Sequence, residues 1–111
     1  MVKENDLKEI WRDIPGYDGK YKVSNKGRVK SLTTGKIKAF SDNGRGYLNV
    51  NLYKNNIGKT VYIHRLVGQA FIPNPLNKPQ INHKDENKAN NCVENLEWCT
   101  QSENDKHKWT F

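Results

Sequence analysis

A chain of 111 residues with only 34% hydrophobic side chains is of ordinary single-domain size, or two small modules sharing one modest core. Its apolar runs stop at two or three residues, as at Val61-Tyr62-Ile63, which argues against a membrane span or a signal-peptide core, and the separated Cys92 and Cys99 support neither a disulfide framework nor a four-cysteine zinc site. The net charge of +7 is segregated: residues 1–62 hold thirteen Lys/Arg against six Asp/Glu, and residues 63–111 hold six against six. The expectation is a soluble cytoplasmic protein with no membrane association and a polyanion as partner.

Residues 1–8 read as a charged lead-in with little reason to be ordered. Glu9 to Ile14 predicts a short strand, and Pro15 to Lys20, with two glycines, a turn. Tyr21-Lys22-Val23 is extended, Ser24 to Gly27 turns, Arg28 to Leu32 returns, and Lys36 to Ala39 alternates again. Read with period two, Tyr21, Val23, Val29 and Ile37 share one face while Lys22, Arg28, Lys30, Lys36 and Lys38 share the other. Between Lys20 and Lys38 the cations Lys20, Lys22, Lys26, Arg28, Lys30, Lys36 and Lys38 meet no acidic residue in the sequence. Such a run fits a solvated face or a phosphate-binding one, and the one-sided segregation favours the second.

Ser41 to Gly46 predicts a loop, and Tyr47 to Tyr53 a strand with Leu48, Val50 and Leu52 on its inner side. A turn at residues 55–58 leads into Lys59 to Tyr62. Ile63, Leu66, Val67, Ala70 and Phe71 then describe a one-sided helix ended by Pro73, with His64, Arg65 and Gln69 off its buried face. Gln80 to His83 reads as a strand, Lys84 to Asn91 as a loop and Glu94 to Cys99 as a second strand. Thr100 and Glu103 form a capping box that starts a last helix at Gln101, placing Asn104 and His107 one turn apart. Trp11 and Trp98 are expected in the core.

Ile63-His64-Arg65-Leu66-Val67, Asn82-His83-Lys84-Asp85, Asn87-Lys88, Asn90-Asn91, Glu94-Asn95-Leu96-Glu97-Trp98 and Glu103-Asn104 resemble an HNH endonuclease of the phage and homing type. Upstream, Trp11-Arg12-Asp13-Ile14-Pro15-Gly16-Tyr17 and the run from Tyr21 to Ser31 resemble the NUMOD4 module that often precedes it. The resemblance implies an α+β fold: a basic antiparallel β-sheet module over residues 9–62, then a helix and a ββα-metal nuclease motif over residues 63–111.

The resemblance also implies roles. His83 would be the general base, since an imidazole titrates near neutrality and needs a second group to fix its tautomer. That second group would be Asn95, accepting through its side-chain carbonyl. Asn82 and Asn104 would hold one divalent ion, Mg²⁺ or another such as Mn²⁺. Relatives often carry Asp and His at those two positions, so the asparagines here imply neutral oxygen ligands and weak affinity. His107, His64 and Asp85 are additional candidates for metal or phosphate contact, Asp85 also for shaping its loop. The expected partner is double-stranded DNA, gripped by the Lys20 to Lys38 surface, with the enzyme acting as a monomer inside a phage or bacterial host cell. The rival readings are an uncatalytic DNA-binding module and an RNA-binding protein.

Overall fold

The computed structural model describes residues 8–103. All of the expected lead-in except Lys8, together with Asn104 and His107, therefore lies outside the described residues. Strands β1 (Trp11–Asp13), β2 (Tyr21–Ser24), β3 (Val29–Ser31) and β4 (Lys36–Ile37) form one antiparallel sheet in chain order. A second antiparallel sheet holds β5 (Ser41–Asp42), β6 (Leu48–Lys54) and β7 (Ile57–Tyr62), and a hairpin pairs β8 (Gln80–His83) with β9 (Leu96–Cys99). Helix α1 (Ile63–Phe71) stands between them and packs against β2, β6, β7, β8 and β9. The fold is α+β, as the sequence implied.

The alternation that predicts these elements also selects the core. Tyr21, Val23, Val29, Val50 and Leu52 from the two sheets, Ile63, Leu66 and Val67 from α1, and Ile81 and Leu96 from the hairpin form one buried cluster. Each fully buried aliphatic side chain contributes about 1.5–3 kcal/mol. The β6–β7 turn is Asn55-Asn56, both with positive φ (52° and 66°), the pair of left-handed residues that a two-residue hairpin of matching twist requires. Between the sheets, the Tyr53 backbone N–H donates to the Tyr21 hydroxyl at 3.1 Å. At the far end of α1, Arg12 donates to the Ala70 carbonyl at 2.7 Å and lies over the Phe71 ring, so a cation meets the negative end of the helix dipole.

The first sheet differs from expectation in which residues share a face. Lys30 pairs with Ile37 and Ser31 with Lys36, and cross-strand partners point the same way. Ile37 therefore lies on the Lys30 side and is exposed, while Lys36 lies on the Tyr21 side. Lys38 follows Lys36, its ammonium over the Tyr21 and Tyr53 rings at 5.6 and 5.8 Å. Four residues separate the paired Ser31 and Lys36, and that turn resets the parity that the period-two reading carried through unchanged. Trp11 is also not in the core: it is half-buried, with Lys30 4.5 Å and Arg28 5.7 Å from its ring. Ser41–Asp42 adds a short strand where a loop was expected, and Val93–Asn95 is a 3-10 turn ahead of β9.

The hairpin approaches α1 at Gly68, where a β-carbon would sit 2.4 Å from Ile81 Cδ1 and 3.2 Å from Trp98 Cζ2. Trp98 fixes the same junction by donating from Nε1 to the Ile72 carbonyl at 3.0 Å. Gly68→Val should cost about 2–3 kcal/mol as overpacking, read from urea unfolding. Ile81→Val, which deletes the offending methyl, should recover part of the loss in the double mutant, and simple additivity of the two would place the clash elsewhere.

Candidate active site

His83 closes β8, paired with Leu96 across the hairpin, and is buried at 5% exposure. Its ring lies in an aromatic cluster built from three elements. The His64 ring from the first turn of α1 is 5.2 Å away between centroids, and the Tyr47 ring just before β6 is 6.1 Å away. Tyr62, the last residue of β7, packs on His64 at 5.5 Å. A cleft of about 460 Å³ opens beside this cluster, lined by Asn43, Arg45, Tyr47, Tyr62, His64 and Arg65 among others.

His64 is thus part of the site and not off the buried face of its helix. It is 8% exposed, and its Nδ1 is buried without a partner among the described residues. Burial first, then the neighbouring His83 and Arg65, push its pKa down from 6.5 to about 4, so it is a neutral imidazole at physiological pH. The helical period correctly placed Ile63, Leu66 and Val67, but position 64 is covered from the side by Tyr47 and Tyr62, which no local pattern reports.

The loop from Lys84 to Asn91 is organised by Asp85. Its carboxylate accepts from the Asn87 backbone at 2.8 Å and from the Asn90 and Asn95 side chains at 2.9 Å each. These hydrogen bonds, the one from Asn90 foremost, lower its pKa. Asn95 returns a bond by accepting the Asp85 backbone N–H at 3.1 Å, and it also donates to the Asn90 carbonyl at 2.9 Å. Asn95 therefore ties the loop to the start of β9 and makes no hydrogen bond to His83. The group that faces the histidine is Asn91, whose Oδ1 lies 2.8 Å from His83 Nε2. The expected function of Asn95 as direct orienter is corrected accordingly: its side chain is engaged by Asp85 and the Asn90 carbonyl instead.

Asn82 pairs with Glu97 across the hairpin and donates from Nδ2 to the Glu97 carboxylate at 3.0 Å. Its other amide atom, Oδ1, is an oxygen donor beside a carboxylate, a set that suits a hard divalent cation. The sequence reading did not place Glu97 beside Asn82, and the i-to-j pairing of two short alternating strands was the signal that could have done so. Lys88 was missed as well: its ammonium lies 4.7 Å from the Tyr47 ring centre and bonds the Arg45 carbonyl at 3.1 Å, at the rim of the cluster. Thr100 and Glu103 form the expected reciprocal cap, at 3.1 and 2.9 Å, and residues 101–103 begin the helix on which Asn104 was predicted.

The basic surface is arranged in two parts. Lys22, Arg28 and Lys30 share the outer face of the first sheet, and two of the three have acidic partners brought in by the segment around β1. Arg28 makes a two-pronged ion pair with Glu9, which raises the guanidinium pKa and lowers that of the carboxyl, and Lys22 lies 3.5 Å from Asp13. Lys36 and Lys38 lie on the other side.

A buried histidine at the end of a two-stranded hairpin, a stitched asparagine-rich loop behind it and a capped helix starting directly after the second strand form the frame of a ββα-metal nuclease. The family models agree: residues 9–53 match the NUMOD4 motif, and residues 61–106 match the HNH endonuclease model. Residues 61–106 thus resemble an HNH endonuclease unit, and the residues before them the motif that precedes it. It is 43% identical over 94 residues to DNA endonuclease I-HmuI of Bacillus phage SP01, covering 85% of this chain and 54% of that protein. It is 42% identical over 100 residues to an uncharacterised HNH endonuclease, L245, of Acanthamoeba polyphaga mimivirus, covering 90% of this chain and 30% of that protein. A solved structure of the HNH homing endonuclease I-HmuI, described for its DNA binding and cleavage, superposes with a TM-score of 0.86 at 40% identity, covering 91% of this chain and 58% of that one. The chain thus spans between about a third and somewhat over half of the length of these relatives.

The depressed pKa of His64 has a consequence for stability. Folding holds the imidazole neutral, so the unfolded chain binds more protons between pH 6.5 and about 4. The associated stability is complete above the unfolded value and is lost as pH falls towards the folded one, by up to about 3 kcal/mol. Denaturation midpoints measured across that window should fall steeply for the wild type and less steeply for His64→Leu; equal slopes would show that His64 does not titrate on unfolding.

Proposed function

We propose that the protein is a metal-dependent DNA endonuclease that hydrolyses phosphodiester bonds with His83 as general base. The observation that carries this reading is the placement of His83: buried at the hairpin end, one ring nitrogen held by Asn91, in the same hairpin whose sequence matches the HNH model. In this reading the imidazole takes a proton from a water molecule, and the resulting hydroxide attacks the phosphorus as the bond to the 3′ oxygen breaks. The neutral His64 at the back of His83 excludes water without adding a second positive charge. Asp85 and Asn95 hold the loop so that His83 does not have to be ordered by substrate.

Asn82, with Glu97 beside it, and Asn104 on the following helix are the residues proposed to hold a divalent ion, Mg²⁺ or Mn²⁺. When bound, such an ion supplies positive charge to the scissile phosphate and to the departing 3′ oxygen. Double-stranded DNA is the proposed substrate, supported by the relative described for DNA binding and cleavage. The proposed contacts are Lys20, Lys22, Lys26, Arg28, Lys30, Lys36 and Lys38, with Lys22 and Arg28 contributing less than Lys30 because Asp13 and Glu9 already partner them. Action as a monomer within a phage-infected or bacterial cell completes the proposal, the bacterial host being supported by the Bacillus phage source of one relative.

Supercoiled plasmid incubated with Mg²⁺ tests the central claim. His83→Ala should lower nicking or linearisation by at least about 10²-fold, the usual scale for a positioned base, with DNA affinity retained; cleavage at the wild-type rate would remove His83 from the mechanism.

The ion pairs of the basic sheet give a second test. Neutralising Lys30 and Lys36 should flatten the plot of log affinity against log salt by up to about 2 units, since each phosphate contact contributes about 0.9. Neutralising Lys22 and Arg28 should flatten it less. The measurement is binding of a fixed duplex with metal withheld, and identical slopes for all three proteins would leave the sheet as a solvated surface.

A further inference from the structure

We propose that Asn91 is a positioning residue that sets the tautomer of His83, and that the β2–β3 turn of the amino-terminal motif holds Asn91 in place through Gly27. The amino-terminal segment would then govern the proton-accepting state of the base, in addition to any contact it makes with DNA. Its kinetic consequence rests on the reading of His83 as general base; its spectroscopic consequence does not.

Asn91 is 3% exposed and makes one side-chain hydrogen bond among the described residues, from His83 Nε2 to its Oδ1 at 2.8 Å. Its Nδ2 is buried and meets no acceptor there. Leaving an amide donor unpaired in the interior costs about 1–3 kcal/mol, a cost that an apolar side chain of the same shape would not carry. The amide is thus a poor choice for stability alone, and its contribution lies in the one bond that it does make. An acceptor facing Nε2 requires the hydrogen to sit on Nε2, which leaves the lone pair on Nδ1. Asn95 does not supply this constraint: its Oδ1 accepts from the Asp85 backbone, and its Nδ2 donates to the Asp85 carboxylate and the Asn90 carbonyl.

The backbone carrying Asn91 is docked on the β2–β3 turn. Gly27 has φ +86°, and a β-carbon there would sit 2.9 Å from Asn91 Cβ and 3.0 Å from the Asn91 carbonyl oxygen. The residues after Asn91 are fixed to the same turn, Val93 N–H donating to the Asn25 carbonyl at 2.9 Å and Cys92 Sγ lying 3.7 Å from the Lys26 carbonyl. Glycine at position 27 satisfies two demands together, a left-handed backbone and an approach too close for any side chain. The β2–β3 turn therefore forms the wall behind the residue that faces His83.

The test begins with ¹⁵N spectra of the whole protein without metal or DNA, at mildly alkaline pH. The chain has three histidines, and His83→Ala identifies the signals of His83. Wild type and Asn91→Asp, which keeps the acceptor, should show the Nε2–H tautomer. Asn91→Leu and Gly27→Ala should both lose that preference, the second serving if the first does not fold. An Nδ1–H tautomer in the wild type, or an unchanged tautomer in both variants, overturns the proposal. For cleavage, Gly27→Ala should lower the single-turnover rate on saturated plasmid by about 10²-fold, as expected for a misplaced catalytic group, without weakening DNA binding. Gly35→Ala is the matched control: its φ is +72° with no atom within 4 Å of a built β-carbon, so it carries the backbone strain without touching Asn91. It should cleave at close to the wild-type rate, and equal loss in both glycine variants overturns the link. If the wild type cleaves nothing, the base assignment fails while the tautomer measurement still decides the position of Asn91.

Discussion

The packing of helix α1 against three separate β-structures is the constraint on which the rest of the molecule depends. One short helix supplies Ile63, Leu66 and Val67 to a core that also takes residues from both sheets and the hairpin. Because Gly68 lacks a side chain, Ile81 and Trp98 settle directly on the helix backbone, and this fixes the height and tilt of β8. His83 then falls beside His64, which the same helix carries in its first turn. The site is therefore a by-product of core packing: three contacts made for burial bring together Tyr47, Tyr62, His64 and His83 from distant parts of the sequence.

Electrostatically the molecule separates two environments. The cleft side sets a neutral imidazole and aromatic rings beside polar and cationic side chains, Asn43, Arg45 and Arg65 among them. The sheet side carries cations of which the outermost are balanced by Glu9 and Asp13. Such exposed pairs contribute little to stability. Their effect is to lower the outward charge of that face below what the residue count suggests.

Much of this was legible in the sequence, for a physical reason. Strict alternation at Leu48, Val50 and Leu52, the i, i+3, i+4 spacing from Ile63 and the Thr100–Glu103 cap are local signals, and the structure carries all three. What was not legible required knowledge of register or of distant neighbours. The parity of Lys36 and Ile37 depends on how many residues the preceding turn consumes. The burial of His64 depends on Tyr47 and Tyr62. That Asn91 faces His83 while Asn95 bonds Asp85 depends on how the loop between the two strands folds back; in a segment with asparagine at positions 82, 87, 90, 91 and 95, residue type alone cannot choose among them.

The six-pair ladder between β6 and β7 has a bearing on how such chains are assembled from parts. The NUMOD4 match ends at residue 53, near the tip of that hairpin, and the HNH match begins at residue 61, near its end. The junction between the two recognisable units thus falls within a β-ribbon, with nearly all of β6 in the first match and only the last two residues of β7 in the second. Recombination at that junction would leave each fragment with an unpaired strand edge and half of a shared core. A transferable piece would need to carry the whole ribbon together with α1, so the unit of exchange defined by folding is longer than either unit defined by sequence similarity.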